Sequence, residues 1–427
     1  MHAAMIESVH YLVIGGGITG LSFAHFCASD DYLVLEADRE LGGYCKTIFQ
    51  DGFVWDYSGH FFHFKDPDIE AWLSEKMPAP PHTIRRVAKI HHQGNLIDFP
   101  FQKNIHQLPR EDFLDCLYEL YFRHERYPRD RPARDFLELM RQNFGDGITE
   151  RFLRPYNEKL YACTLDQLDV EAMGRFFPWA PLDDIIRNFK APDDGGYNAT
   201  FRYPQGGAIE YIHAAASGLD PARIARNEAV IAVDLERKRV RTTQREIAFD
   251  TLVSTAPMDR FLQLCGETPP EGLFSYNRVL VFNLGFDRKG PDGVHWTYFP
   301  DEAFRFYRVG FYDNIFHTER MSLYVEIGFP REGEIDVEAE LSRVLHDLRA
   351  AEIVDTHELV SWHSVVLSPA YVHITQASQR YVTERRAALA SQGVYSVGRY
   401  GGWTYCSIED NILEARALAA SLADDAS

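Results

Sequence analysis

Residues 9–36, VHYLVIGGGITGLSFAHFCASDDYLVLE, decide the fold of this chain. Val9 to Ile14 is a buried-strand run. It meets Gly15-Gly16-Gly17-Ile18-Thr19-Gly20, then an apolar helix from Leu21 to Ala28, then a second strand ending at Glu36. The spacing Gly15-x-Gly17-x-x-Gly20 suits a turn whose backbone amides face a pyrophosphate at a helix N-terminus. Gly15 permits the tight turn, Gly17 lets phosphate approach the main chain, and Gly20 lets helix and strand pack closely. Glu36 follows Gly15 by 21 positions, about the interval at which a carboxylate reaches a ribose hydroxyl. A glycine triplet alone is a common turn. Strand, glycines, helix, strand and acid in register predict a dinucleotide site.

The rest of the composition narrows the class. At 427 residues the chain can hold two or three domains and bury a sizeable core. A hydrophobic fraction of 45% and an aromatic fraction of 13% are those of a globular enzyme. The net charge of −19 argues against nucleic acid or an anionic membrane surface as the main partner. An acidic protein that binds an anionic ligand therefore needs local arginines. The six cysteines (Cys27, Cys45, Cys116, Cys163, Cys265 and Cys406) are dispersed without a CxxC pair. That pattern fits reduced thiols and calls for neither a disulfide frame nor a metal site. Residues 1–8 lack a basic n-region, and the apolar run 11–28 is broken by four glycines, so a soluble, cytoplasmic protein is expected.

Periodicity divides the chain. Residues 1–65, 205–262 and 390–427 carry the βαβ start, a strand ending Ser254-Thr255-Ala256-Pro257, a late buried strand and an Ala/Leu helix from about Glu409 to Leu422. Residues 105–195 hold Leu, Phe and Arg at helical spacing and predict an inserted helical layer. Residues 66–104 and 263–389 alternate apolar and polar, as in Arg278–Phe286 and Ser322–Phe329, and predict an antiparallel sheet. The expected class is α/β: a Rossmann-like domain, a helical insertion and an antiparallel sheet domain contributing to the substrate site.

Two resemblances sharpen the function. Ala37-Asp38-Arg39-Glu40-Leu41-Gly42-Gly43 resembles the loop that follows the ribose acid in FAD enzymes of the glutathione-reductase and amine-oxidase class. It implies FAD, held by Gly15, Gly17, Gly20, Glu36, Ala37, Arg39, Gly42 and Gly43. Four further segments resemble UDP-galactopyranose mutases, closest to their eukaryotic branch. They are Arg154-Pro155-Tyr156-Asn157-Glu158-Lys159; Asn198-Ala199-Thr200-Phe201-Arg202-Tyr203-Pro204; Tyr298-Phe299-Pro300 with Tyr307-Arg308; and Gly398-Arg399-Tyr400-Gly401-Gly402-Trp403-Thr404-Tyr405.

That resemblance implies an isomerase that contracts a nucleotide-sugar pyranose to a furanose with no net oxidation. Reduced flavin N5 attacks the anomeric carbon while the nucleotide diphosphate departs and returns. The cofactor performs the covalent step, so the protein must position the partners and stabilise charge. A leaving diphosphate calls for arginine forks, and Arg308 and Arg399 match the family's pyrophosphate arginines. By the same carry-over His60 and Gly398 border the flavin, Arg86 helps hold its reduced form, and Phe152 stacks on uracil. Phe99, Gln102, Tyr161, Arg175, Asn198, Tyr298 and Tyr405 complete the substrate set, and self-association as a homodimer or larger assembly is implied. The chain departs from the family where Phe99 lacks a tyrosine hydroxyl, Tyr161 replaces a tryptophan and Thr404 replaces an arginine. Such changes alter which substrate groups are satisfied, so sugar and base stay open. A flavin oxidase of the amine-oxidase class explains Gly15–Glu36 equally well but not the matched arginines, since an amine prefers aromatic or acidic walls. A non-catalytic flavin-binding protein is the third reading.

Overall fold

The computed structural model describes residues 7–191 and 199–425. The strand Glu7–Ile14 sits at the middle of a seven-stranded sheet, between the parallel strands Tyr32–Leu35 and Glu246–Ser254. Tyr11 to Ile14 are all buried because helices cover both faces of the sheet, which is why the run is apolar without alternation. The far side of Glu246–Ser254 is shared. Its first half pairs antiparallel with Arg239–Thr242 and its last three residues pair parallel with Val394–Ser396.

The glycine-rich turn opens the helix Ile18–Phe26, three residues earlier than the sequence predicts, with Gly17 as its N-cap. A Cβ on Gly20 would lie 2.0 Å from the Gly15 carbonyl oxygen, so helix and strand approach as closely as backbone allows. Gly15 itself has φ +104°, a conformation that other residues rarely adopt. The helix Ile408–Asp425 packs against Ile18–Phe26 and runs a little beyond its expected bounds.

A second seven-stranded sheet runs in the order Leu359–Leu367, Arg278–Phe286, Ser322–Phe329, Arg308–Phe311, Trp296–Tyr298, Ala88–His92, Asn95–Asp98. It is antiparallel except where Trp296–Tyr298 joins Ala88–His92 in parallel. Alternation within a strand does not reveal its neighbour's direction, and these two segments are far apart in sequence. The helices Arg110–Arg126, Phe136–Ile148, Arg154–Tyr161 and Leu182–Lys190 form the layer expected from 105 onward. Phe101, Leu120, Phe144, Phe152 and Leu160 join that layer to Trp55, Ile90, Val281 and Tyr324 in one buried cluster. Among the described residues no helix is long and apolar enough to cross a membrane.

Candidate active site

A cleft of about 710 Å³ runs from the C-terminal edge of the first sheet to the second sheet. At one end lie Gly15, Gly17, Glu36, Ala37, Gly42 and Gly43, with Glu228 and Val230. Glu36 is oriented through both oxygens: the Gly16 N–H donates to one at 2.8 Å and the Asp38 N–H to the other at 2.8 Å. A ribose hydroxyl can still donate to its remaining lone pairs. A Cβ built on Gly17 or Gly43 meets only the other glycine, at 3.9 Å and 3.7 Å, so the two backbones face each other across open space. That cradle, at the N-terminus of Ile18–Phe26, fits the pyrophosphate of a dinucleotide. Arg39 stands apart from these residues. Its side chain is 79% exposed beside Glu40 and lies off the cleft, because the loop turns it outward after Ala37.

The other end is built from Ser58-Gly59-His60, the second sheet and the helical layer. His60 lines the cleft, and burial pushes its pKa down to about 4, aided by Arg399 and Arg308 and opposed by the Ser58 backbone and Glu326. It is neutral at pH 7. The Arg399 guanidinium lies over three rings, Tyr405 at 4.6 Å, Tyr371 at 5.3 Å and Tyr400 at 5.8 Å. Its Nη1 donates to the Cys406 carbonyl at 3.3 Å, its buried Nε–H has no acceptor, and it has no carboxylate partner among the described residues. Arg308 differs. Its Nε donates to one Glu326 oxygen at 2.6 Å and its Nη2 to the other at 2.8 Å. Burial opposes the Arg308 charge, and Glu326 more than offsets that, so the guanidinium stays protonated. Arg86 lies over Phe99 at 5.2 Å with no carboxylate partner among the described residues, and burial lowers its pKa from the usual arginine range.

Aromatic rings wall this end. Phe99 meets Tyr298 at 5.1 Å, and Tyr156 meets Tyr298 edge-on at 5.0 Å. Phe152 lines the cleft, but its ring is in parallel contact with Phe101 at 5.2 Å and Tyr156 at 5.3 Å. Tyr405, Tyr298, Gly398 and Phe99 line the cleft as well.

Three expected substrate residues stand elsewhere. Gln102 is fully buried and lies off the cleft; its Nε2 donates to the Pro178 carbonyl because a buried amide must find an acceptor. Tyr161 is fully buried, its hydroxyl donating to the Ala172 carbonyl at 3.2 Å, since the helix Arg154–Tyr161 turns that face inward. Arg175 pairs with Asp410 at 2.5 Å in the first turn of Ile408–Asp425, and its neighbour Phe176 reaches the cleft in its place. Asn198 lies outside the described residues. Ser58, Glu326 and Tyr371 line the cleft without having been singled out, and Tyr307, quoted with Arg308 in a matched segment but given no role, lines it too. Of the three passed over, Glu326 leaves a sequence signal, as the lone acid in the apolar strand SLYVEIGF.

Residues 20–423 match the model of the flavin-containing amine oxidoreductases, and the chain belongs to that family. FAD is its cofactor, and the Gly17–Gly43 cradle and the oriented Glu36 fit it. A crystal structure of reduced UDP-galactopyranose mutase is similar over 97% of this chain and 94% of that one, at 25% identity and a TM-score of 0.89. A structure from Exiguobacterium sp. 255-15 bearing the protoporphyrinogen oxidase name shares the fold, at 20% identity and a TM-score of 0.75, over 97% of this chain and 98% of that one. Among curated proteins, chloroplastic protoporphyrinogen oxidase 1 of Arabidopsis thaliana is 26% identical over 38% of this chain and 32% of its own length. Coproporphyrinogen III oxidase of Propionibacterium freudenreichii subsp. freudenreichii is 28% identical over 38% of this chain and 34% of its own. The chain thus spans about a third of the curated relatives it matches.

Proposed function

We propose that this flavoprotein is a nucleotide-sugar mutase that interconverts pyranose and furanose forms, with a UDP-sugar as substrate. The observation that carries the reading is the guanidinium group of Arg399, held in the cleft beside tyrosine rings with no carboxylate among the described residues to neutralise it. The 0.89 TM-score to the mutase supports it. When bound and reduced, FAD supplies the nucleophile for the anomeric carbon. Arg399 and Arg308 face the diphosphate, Arg86 adds its charge at the same end of the cleft, and the hydroxyls of Tyr298 and Tyr405 supply neutral donors. His60, neutral at pH 7, adds no charge beside the reacting carbon. Phe99, Phe152, Tyr156 and Phe176 keep bulk water from a cationic sugar carbon.

Incubation of the dithionite-reduced protein with UDP-galactose and other nucleotide sugars, followed by chromatography, tests the reading. A new isomer formed only by the reduced protein is the expected result. Amine turnover with oxygen consumption and no isomer would replace the mutase with an oxidase, the activity class of the curated relatives.

A further inference from the structure

Glu326 is 1% exposed and stands directly across from Arg308 in the antiparallel register of Arg308–Phe311 and Ser322–Phe329. Its carboxylate takes two Arg308 N–H groups and also accepts the Ser58 hydroxyl. Ser58 belongs to the loop that carries His60. One buried carboxylate therefore joins the strand of Arg308 to the loop that borders the flavin. The fork of Nε and Nη2 is used up, which leaves the Nη1 end of the guanidinium for a ligand. The pairing also cancels the formal charge of Arg308. Arg86 and Arg399 have no such partner among the described residues, so they carry the uncompensated positive charge of this end.

Resting on the mutase reading, we propose that Glu326 is a positioning residue that sets the charge of the diphosphate clamp and locks Arg308 to the His60 loop. Two free guanidinium groups balance the diphosphate of an intact nucleotide sugar. When the anomeric C–O bond breaks, the bonding pair stays on the diphosphate oxygen and the leaving group gains a negative charge. A third unpaired guanidinium would match that departed group and hold it too firmly to return. Glu326 keeps the clamp one charge short of the leaving group and matched to the substrate.

The test titrates FAD-loaded protein with UDP and with UDP-galactose at fixed ionic strength, in wild type, E326Q, R308M and the double variant. E326Q should bind UDP about tenfold tighter, with a smaller change for UDP-galactose, because one buried negative charge is gone. Its turnover should fall as Arg308 loosens, and the flavin midpoint potential should rise. R308M leaves Glu326 buried and unpaired and should lose UDP affinity on the order of a hundredfold. The double variant restores the charge balance and should return to within about tenfold of wild type. E326D keeps the charge and should keep UDP affinity. A folded E326Q that binds UDP no tighter, or a double variant as weak as R308M, overturns the proposal. If E326Q fails to fold, R308M against the double variant decides alone. Wild type that binds UDP while the variants disobey removes only the role of Glu326; wild type that binds no UDP removes the mutase reading with it.

Discussion

Arg399 meets aromatic faces where most arginines meet a carboxylate. Over Tyr371, Tyr400 and Tyr405 its charge is only partly compensated, since ring faces attract a cation more weakly than an anion does. An incoming diphosphate supplies the missing charge. Arg399→Met should weaken UDP binding by about 2–4 kcal/mol in a calorimetric titration, while the visible spectrum shows FAD retained. Unchanged affinity would take Arg399 out of the clamp. His60 makes a different prediction. Its folded pKa, about 4, lies below the ordinary value of 6.5. Between those values the unfolded chain binds more protons than the native one, so stability is full above pH 6.5 and falls as pH drops toward 4. His60→Gln removes that group, and the loss of stability between pH 7 and pH 4 should shrink by up to about 3 kcal/mol in urea titrations. An unaltered slope would mean that the imidazole titrates normally.

At the level of elements, legibility followed sequence distance. The strand, glycine turn, helix and acid of 9–36 form one contiguous unit, so spacing alone was enough to predict that unit, and Gly15, Gly17 and Glu36 line the cleft. The same reading missed Glu326, whose role depends on a cross-strand register with Arg308 and a contact with Ser58 some 268 positions away. It misplaced Gln102 and Tyr161 because their side chains serve the inside of the helical layer, and burial there is decided by packing. Two substitutions separate the turn from the loop. Gly17→Val leaves the backbone unstrained, with φ −83° and no protein atom nearer than 3.9 Å to the new Cβ, yet it fills the phosphate cradle. The protein should fold and purify colourless, with FAD affinity down at least about a hundredfold; a yellow, loaded variant would contradict the turn assignment. Arg175, by contrast, is engaged with Asp410 at a partly exposed ion pair. Arg175→Met should change UDP affinity less than about threefold and stability by less than about 1 kcal/mol. A loss matching that of Arg399→Met would return Arg175 to the diphosphate.

For the whole molecule, the cleft is a joint between two bodies of sheet, each with its own buried cluster. Val9, Leu12, Ile14 and Leu252 fill one; Leu280, Phe282, Val325 and Val344 fill the other. Gly15, Glu36 and Thr255 approach from the first sheet, and Tyr298, Arg308 and Glu326 from the second. A cofactor that contacts both walls binds the folded arrangement and not the unfolded chain, so it stabilises the native state by mass action. At a thousandfold excess over its dissociation constant that contribution is about 4 kcal/mol. For a chain of 427 residues this corresponds to a melting shift of roughly 4–5 °C, modest because the unfolding entropy is large. Hydrogen exchange reads the effect more sharply. Stripping FAD should accelerate exchange in Gly15–Phe26, 42–46 and the Arg308–Phe311 strand, and leave Val337–Ala350, remote from the cleft, protected as before. Uniform acceleration through both sheets would mean that FAD supports the entire fold, and no change in any segment would mean that it does not bridge the walls at all.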